Sequence, residues 1–259
     1  MDCHDFLTKI SQWRSYKINN KTMIKIENFY KKYDSKSDYV VQNVNLQIEP
    51  KKITCLLGPN GSGKSTIMNC ICGFIYGSKG SICVSDSNNN LINVEENQSS
   101  VMKNIGYVPE ISKLPPDLKV LEFLTYAAEN HNLSKEETLQ SIKFLVKKLD
   151  LESLLTKKIK TLSKGQQQRV SFAQGLIHNP ANLILDEPNS GLDPLQIKQL
   201  RTFIKELSQT KAILMSTHIL SEAVNLTSEI YIIKKGKIVK AKDLQNLENE
   251  YLEIMENEN

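Results

Sequence analysis

Residues 58–66 constrain this chain more than any other stretch, because they read Gly-Pro-Asn-Gly-Ser-Gly-Lys-Ser-Thr. This order fits the pattern G-x-x-x-x-G-K-[ST] at every specified position. The apolar run 53–57 before it predicts a buried strand, and a helical run from Lys64 to about Gly73 follows it. The glycines let the backbone curl until successive N–H groups converge on phosphate oxygens, and the helix N-terminus adds partial positive charge. The sequence therefore predicts a nucleotide-binding loop.

Two side chains of this loop have specific expected roles. Lys64 is expected to reach the β- and γ-phosphates, and the Ser65 hydroxyl is a candidate Mg²⁺ ligand. A glycine-rich turn that fits the pattern by chance is the alternative, but the order of strand, loop and helix disfavours it. The other loop residues are also expected to bind the nucleotide: Gly58, Pro59, Asn60, Gly61, Ser62, Gly63 and Thr66.

The charge balance and the cysteines disfavour several classes of protein. The chain has 259 residues, 33 of them basic and 29 acidic; the basic residues are scattered, so no nucleic-acid partner is expected. The five cysteines form no C-x-x-C pair, which indicates reduced packing residues in a cytosolic protein. No apolar run approaches the roughly 18 residues that span a bilayer, and the N-terminus lacks a signal-peptide pattern. Any membrane role therefore requires a partner.

The order of strand-like and helical runs predicts an α/β fold. Residues 23–27 and 44–48 alternate apolar and polar positions, which is typical of antiparallel strands beside the nucleotide site. From 183 to 239, short apolar runs alternate with helical ones, which indicates a mostly parallel sheet. Between them, residues 118–128 and 134–149 show helical periodicity, the second with a capping-box start. The sheet is thus expected to carry a helical insertion.

A third helix is expected from Gly165 or Gln166 to about His178, and it is followed by an apolar run that ends in two carboxylates, Asp186 and Glu187. Asp186, at the carboxyl end of a buried strand, is placed to hold Mg²⁺ directly or through water. Since side chains alternate along a strand, Glu187 is expected to project differently, face the γ-phosphate and polarise the attacking water. With the phosphate loop, the pair predicts one hydrolytic site.

Three further motifs resemble those of ABC-type ATPases. Residues 162–166 read Leu-Ser-Lys-Gly-Gln and match the L-S-x-G-Q signature, residues 190–193 resemble the D-loop, and His218 matches the switch histidine. In this order, the motifs make the chain similar to ABC transporter ATP-binding proteins over about residues 23–240. The resemblance implies an α/β P-loop NTPase of the ABC type, with a mostly parallel sheet, flanking antiparallel strands and a helical subdomain insertion.

The resemblance also implies a head-to-tail dimer in which ATP lies between the phosphate loop of one cassette and the signature of the other. The implied contacts from the signature side are Ser163, Gly165, Gln166 and Asp193. The residues agree with this, because Ser163 and Gly165 come just before the expected helix, where hydroxyl, amides and helix dipole form an anion site. A plain helix cap is the alternative for this segment. His218 is implied to hydrogen-bond the γ-phosphate, with a packed strand-end histidine as its alternative.

The chain departs from the family pattern at three places, of which Lys51-Lys52, in place of the usual Gly-Glu before the strand, is expected to have no functional effect. Glu110 stands where the family usually has glutamine, and it is expected near the Mg²⁺ site; the glutamate resembles a subset of exporters and favours export. Tyr33 is the expected aromatic for stacking on the base, but the segment up to Val44 is about two residues longer than usual. Tyr30 and Tyr39 therefore remain alternatives.

The expected organisation is an N-terminal extension, 1–21, an ATPase domain, 22–241, and a C-terminal helical tail, 242–259. The helical subdomain is expected at about 112–178. The chain is expected to be the ATP-hydrolysing, Mg²⁺-dependent subunit of a transporter, bound to a separate permease at the inner face of the cell membrane. The alternative is a soluble ABC ATPase of translation or DNA maintenance, although the paired cassettes or long coiled coil of those classes are missing. A GTPase or small-molecule kinase is disfavoured, since it leaves the signature unexplained.

Overall fold

The computed structural model describes residues 23–86 and 90–256, so the expected extension 1–21 lies outside the described residues. Within them the chain forms two sheets and a set of helices that cover the larger sheet. The strands in chain order are β1 (Ile24–Lys31), β2 (Val41–Ile48), β3 (Ile53–Leu57), β4 (Lys79–Ser85), β5 (Leu91–Asn93), β6 (Ile105–Val108), β7 (Asn182–Leu185), β8 (Ala212–Thr217), β9 (Glu229–Lys234) and β10 (Lys237–Lys240).

The helices were predicted in the right places with one exception. They are α1 (Lys64–Ile71), α2 (Gln98–Asn104), α3 (Val120–Asn130), α4 (Lys135–Lys148), α5 (Lys164–Leu176), α6 (Pro194–Ser208), α7 (Leu220–Leu226) and α8 (Leu247–Glu256). The exception is α2, whose seven residues are too few and too polar to show a helical period. The capping box predicted at the start of α4 is present, since Ser134 and Glu137 bond each other's backbone N–H groups. None of the described helices is long and apolar enough to cross a membrane.

The smaller sheet is antiparallel, with the order β2-β1-β4-β5, and the larger has the order β10-β9-β3-β8-β7-β6. In the larger sheet every pair is parallel except β10 with β9. Leu57 pairs with Thr217, and Leu185 pairs with both Met215 and Val108. Because the strands are parallel, the residues that follow β3, β6, β7 and β8 all emerge at one edge of the sheet.

The parallel strands are buried on both faces, which explains their continuous apolar runs. In β3, Cys55 and Leu57 belong to the core that packs against α3–α8, whereas Leu56 faces the second core, beneath the antiparallel sheet and α1. Helices α3, α4 and α5 follow one another without an intervening strand. This stretch, from Val120 to Leu176, lies within residues 112–178, and the helical subdomain expected there stays a prediction. The predicted tail contains α8.

Candidate functional site

The phosphate loop connects β3 to α1, and two of its glycines lie at positions where another residue would be strained or would clash. Gly63, directly before α1, has a φ of 110°, a conformation that L side chains rarely adopt. A Cβ on Gly58 would lie 2.3 Å from the carbonyl oxygen of Ile233. Gly58 therefore packs directly on β9. The loop joins β3 to α1, as predicted, and its contact with β9 was not predicted.

Lys64 is the first residue of α1, and its ammonium group turns back over the loop. Its Nζ donates to the carbonyl oxygens of Gly58, at 2.7 Å, and Pro59, at 3.1 Å. It also lies 3.5 Å from Glu187 Oε1. Both charged side chains are at least nine-tenths buried, at 5% and 9% exposure. Two residues 123 positions apart in the sequence thus form one buried ion pair, so neither charge is buried without a partner.

The two carboxylates follow β7, but strand alternation does not set their directions. β7 ends at Leu185, and Glu187 has a φ of 45°, in the left-handed region. Glu187 was expected to project differently from Asp186 because side chains alternate along a strand; that reason was wrong, since a backbone turn after β7 sets the direction of this residue. Ser216, on the neighbouring strand β8, fixes both residues: its hydroxyl donates to Asp186 Oδ1 at 2.6 Å and accepts from the Glu187 N–H at 2.9 Å.

His218 completes the arrangement at the end of β8. Its Nδ1 lies 3.1 Å from Glu187 Oε2. An ionised carboxylate only accepts hydrogen bonds, so the Nδ1–H donates to Glu187. The two oxygens of Glu187 thus face Lys64 and His218 respectively. Residues 58–66, Asp186, Glu187 and His218 together are called the phosphate half-site below.

Tyr33 lies beside this half-site. Its hydroxyl is 3.2 Å from Thr66 Oγ1 in the first turn of α1, and its ring is 61% exposed. The Lys31 ammonium lies 5.2 Å from the centre of the ring. Tyr30 and Tyr39 instead pack on each other edge to face, with ring centres 5.2 Å apart. Of the three aromatic residues considered, Tyr33 is the one that is exposed and hydrogen-bonded to the phosphate loop.

The signature residues form a separate cluster built from a helix start. Ser163 caps α5, which begins at Lys164, one residue earlier than predicted. The Ser163 hydroxyl accepts from the Gln166 N–H at 3.3 Å, and Gln166 Oε1 accepts from the Ser163 N–H at 3.0 Å. Gly165 therefore lies inside the first turn rather than before it.

Asp193 caps α6 in the same manner, with Gln196 as its reciprocal partner. A Cβ on Gly165 would lie 2.7 Å from Gln196 Oε1, at the end of a side chain, so the two helix starts lie side by side. Within residues 23–86 and 90–256, no hydrogen bond or ion pair joins this cluster to the phosphate half-site. Ser163, Gly165, Gln166 and Asp193 are called the signature half-site below.

Comparison with known proteins agrees with this geometry. The sequence profile of the ABC transporter family matches residues 41–190, more than half of the chain. The chain belongs to the ABC transporter family. It is 35% identical over 240 residues to the uncharacterized ABC transporter ATP-binding protein MJ1023 of Methanocaldococcus jannaschii, covering 92% of this chain and 84% of that protein.

A second relative and one solved structure define the cassette further. The lantibiotic transport ATP-binding protein SrtF of Streptococcus pyogenes is 34% identical over 228 residues, covering 88% of this chain and 93% of that protein. The dimeric cassette MJ0796 superposes with a TM-score of 0.77 and 28% identity, covering 86% and 99% of the two chains. MJ0796 was also solved in a post-hydrolysis state with ADP and Pi.

The predicted fold, the ATPase activity and the transport role are thereby confirmed. The chain is an ATP-binding and ATP-hydrolysing cassette that works with a second cassette and a membrane-spanning partner to drive transport.

Glu110 of the cassette is exposed and follows β6 at the same sheet edge as Asp186. Burial raises the pKa of the Tyr107 hydroxyl, and the carboxylates of Asp186 and Glu110 raise it further. Asp186 and Glu110 therefore both act electrostatically on one phenol. The structure gives Glu110 no closer link to the phosphate half-site, and its metal role stays a prediction.

Sequence reasoning missed Ser216, which positions both carboxylates of the cassette. The available signal was the polar pair Ser216-Thr217 at the end of an apolar strand, two residues before His218. The expectation of reduced packing cysteines is confirmed for the four described residues, which are free thiols; Cys3 lies outside the described residues. Burial raises the pKa of Cys70 to about 12, so its thiol stays protonated and inert.

Proposed function

We propose that the phosphate half-site binds the triphosphate of ATP and that Glu187 is the general base of hydrolysis. The observation that supports this is the position of the Glu187 carboxylate between the Lys64 ammonium and the His218 imidazole. Lys64 would exchange the carbonyls of Gly58 and Pro59 for phosphate oxygens, which are stronger acceptors for a cation. Glu187 would then take a proton from the attacking water, and His218 would hold the γ-phosphate.

The same half-site offers a fitting ligand set for Mg²⁺. Asp186 is buried, and Ser216 donates to only one of its carboxylate oxygens, Oδ1. The Ser65 hydroxyl, at the start of α1, and Glu110, at the same sheet edge, are the further proposed oxygen ligands. Mg²⁺ prefers such hard oxygen ligands and usually keeps several waters. When bound, it would offset charge on the β- and γ-phosphates.

We further propose that the signature half-site completes the nucleotide site of a second cassette. The Ser163 hydroxyl is exposed at the N-terminus of α5, with Gly165 and Gln166 in the first turn behind it, and a helix N-terminus favours an anion. Asp193 starts the adjacent helix. The hydrogen bonds of Ser163 and Asp193 are internal to their own helix starts, so a partner's γ-phosphate would find this surface already in place. The base of the ATP would stack on Tyr33 of the first cassette.

The proposed location is the inner face of the cell membrane, through a permease. The surface proposed for docking is the groove between the helical insertion and the core near residues 110–120, where Ile111 is 74% exposed; Leu121, directly after it, is 43% exposed. Apolar side chains exposed at this density indicate an interaction surface. Export is favoured by Glu110, and the similar SrtF is named for lantibiotic transport. The exported substrate would be selected by the permease.

Two measurements test these proposals. Hydrolysis followed against Mg²⁺ concentration should require the metal, and Asp186→Asn should raise the concentration needed for half-maximal rate. A rate independent of Mg²⁺ would contradict the proposed ligand set.

Tagged chain purified from native cells in mild detergent should carry a polytopic membrane protein with it, and Ile111→Asp should reduce that recovery. Recovery with ribosomes or DNA instead would favour a soluble ABC ATPase.

A further inference from the structure

The turn that carries His218 is closed by hydrogen bonds on both sides of this residue. Thr217 ends β8, and its carbonyl oxygen accepts from the N–H of Gly58, the first residue of the phosphate loop, at 3.2 Å. The Thr217 hydroxyl accepts from the Ile219 N–H at 3.1 Å and donates to Glu222 Oε2 at 2.7 Å. Thr217 therefore holds the backbone before and after His218, and it joins that backbone to the start of the phosphate loop.

These hydrogen bonds differ from those of an ordinary helix start. Ile219 is the N-cap residue of α7, and Glu222 is the third residue of that helix. In a capping box, a glutamate at this position accepts from the backbone N–H of the N-cap residue. Here the Ile219 N–H bonds the Thr217 hydroxyl, and Glu222 accepts from that hydroxyl instead. The Thr217 side chain is thus inserted into the reciprocal pair, which extends the helix start backwards past His218.

The hydroxyl and the carboxylate of this pair are buried, whereas the imidazole is not. Thr217 is 0% exposed and Glu222 is 5% exposed, but the His218 side chain is 50% exposed. A buried carboxylate that loses its hydrogen bond is costly, so the pair resists separation. Because half of the His218 side chain is exposed, packing alone does not fix its ring, and the contact with Glu187 depends on the backbone from which the ring extends. That backbone is the part that Thr217 and Glu222 hold.

We propose that Thr217 and Glu222 are positioning residues for His218: their buried hydrogen bond fixes the turn from which the imidazole reaches Glu187. Both residues act through the backbone of residues 217–219 and not through contact with the nucleotide. A consequence for ATP turnover rests on the proposed role of His218 in hydrolysis. The placement of the ring in the nucleotide-free chain does not rest on that role, so the two are tested by separate measurements.

The first measurement is the kinetics of ATP hydrolysis by the full chain. Thr217→Val removes the hydroxyl and keeps the backbone bond to Gly58. It should lower kcat by roughly tenfold or more, because a small displacement of an active-site group is costly, and leave KM for ATP within about twofold. Thr217→Ser retains the hydroxyl and should bring kcat to within about twofold of wild type. Thr227→Val is the matched control: Thr227 is also buried, its hydroxyl donates to Ala223 O at the other end of α7, and the variant should keep the wild-type kcat.

The second measurement follows the His218 ring in the nucleotide-free chain by NMR of ¹⁵N-labelled histidine. The chain has four histidines, so comparison with His218→Asn assigns the signals. At about pH 9, well above the usual titration range of histidine, wild type and Thr217→Ser should show one tautomer with the proton on Nδ1, which donates to Glu187. Thr217→Val should show a mixture of both tautomers. Glu222→Met, which removes the acceptor and places an apolar side chain in a buried position, should do the same.

A mixture of tautomers in Thr217→Val and Glu222→Met, with a single tautomer in Thr217→Ser and Thr227→Val, supports the proposal. A single tautomer in Thr217→Val overturns it even if kcat falls, since the loss would then reach turnover by another route. A mixture in wild type, or an equal change in Thr227→Val, also overturns it. If Thr217→Val does not fold, Glu222→Met decides by the same criterion. A mixture with unchanged kcat would support the positioning of the ring and remove His218 from the proposed mechanism.

Discussion

The phosphate half-site and the signature half-site are built from the same chain by different means. In the first, the buried ion pair of Lys64 and Glu187 and the exposed His218, which lies 3.1 Å from Glu187, come from three separate segments. In the second, Ser163 and Asp193 each cap the helix that they begin, and the hydrogen bonds of both are local. The first half-site therefore depends on the correct packing of the whole sheet. The second needs only two helix starts at the proper spacing.

This difference fits the proposal that one half-site carries the chemistry and the other completes it. Buried, paired charges are held rigidly because breaking one pair leaves the other charge in a poorly solvated place. Capped helix starts keep their remaining N–H groups at the surface, where an anion from another molecule can reach them. We therefore expect mutations in the phosphate half-site to lower ATP turnover far more. The effect of mutations in the signature half-site should depend on the second chain with which it pairs.

The largest effect is expected at Glu187, which contacts both Lys64 and His218. Glu187→Gln should retain ATP binding but lose roughly 10²- to 10⁴-fold in turnover, the usual contribution of a positioned general base. Binding and hydrolysis should be measured on the same preparation. Unchanged turnover would remove Glu187 from this role and leave the ion pair with Lys64 as a purely structural contact.

Mixing experiments compare the two half-sites directly. Lys64→Ala and Ser163→Arg chains should each be inactive alone, whereas their heterodimer contains one intact composite site. Equal mixing should recover roughly a quarter of the wild-type rate, because about half of the dimers are mixed and each carries one of two sites. Mixed chains that associate without regaining activity would contradict a site shared between two molecules. The rate per wild-type chain should also rise with protein concentration.

Ser216 tests whether the phosphate half-site depends on packing between strands. Ser216→Ala removes the donor to Asp186 and the acceptor for the Glu187 N–H, and it should lower turnover by about tenfold, near 1.4 kcal/mol in the barrier. Ser208→Ala, a hydroxyl that bonds only within the end of α6, is the matched control and should retain the wild-type rate. Equal rates for wild type and Ser216→Ala would show that the carboxylates hold their positions without this hydroxyl.

The signature helix has its own anchor in His178, just beyond the end of α5. Its Nε2–H donates to Ile105 O at 3.1 Å, its ring stacks on His131 at 3.6 Å, and burial lowers its pKa to about 3. The unfolded chain therefore binds a proton between about pH 3 and 6.5 that the folded chain does not. The contribution of His178 to the free energy of unfolding is therefore fully present above about pH 6.5. Below that pH it decreases by up to about 1.4 kcal/mol for each pH unit of acidification.

Urea unfolding at several pH values between about 5 and 7 checks this, with His178→Asn as the comparison. The variant should be less stable at neutral pH but should show a shallower decline on acidification. Parallel declines for both chains would assign the acid sensitivity to other groups.

The smallest effect is expected for the base contact beside the phosphate half-site. Tyr33→Ala should weaken ATP binding by roughly five- to tenfold, in line with one aromatic stacking contact. Tyr33→Phe keeps the ring and loses only the exposed hydrogen bond to Thr66, so its affinity should stay within about twofold of wild type. Tyr30→Ala is the control on the neighbouring ring. A larger loss in Tyr30→Ala than in Tyr33→Ala would reassign the stacking residue.

The local structure of this cassette was largely readable from sequence, because it depends on short-range rules. The pattern at 58–66 requires a curled loop before a helix, and α1 indeed begins at Lys64. The helices α3, α4 and α6 have apolar faces long enough to show their period. The helix α2 was missed, since seven mostly polar residues show no such face, and the turn at Glu187 was missed because strand alternation does not extend past the end of β7.

The sequence by itself determined the family, the nucleotide loop, the acidic pair and the signature, since each is a contiguous set of residues with its own chemistry. The tertiary structure decided how these parts act on one another. Parallel pairing of β3, β7 and β8 brings Lys64, Glu187 and His218 within contact, and it makes Ser216 the hydroxyl that holds two carboxylates. The close approach of Gly165 to Gln196 likewise arises only when separate helices pack. Contacts between distant segments depend on the register and spacing of whole elements, and no single stretch of sequence carries that information.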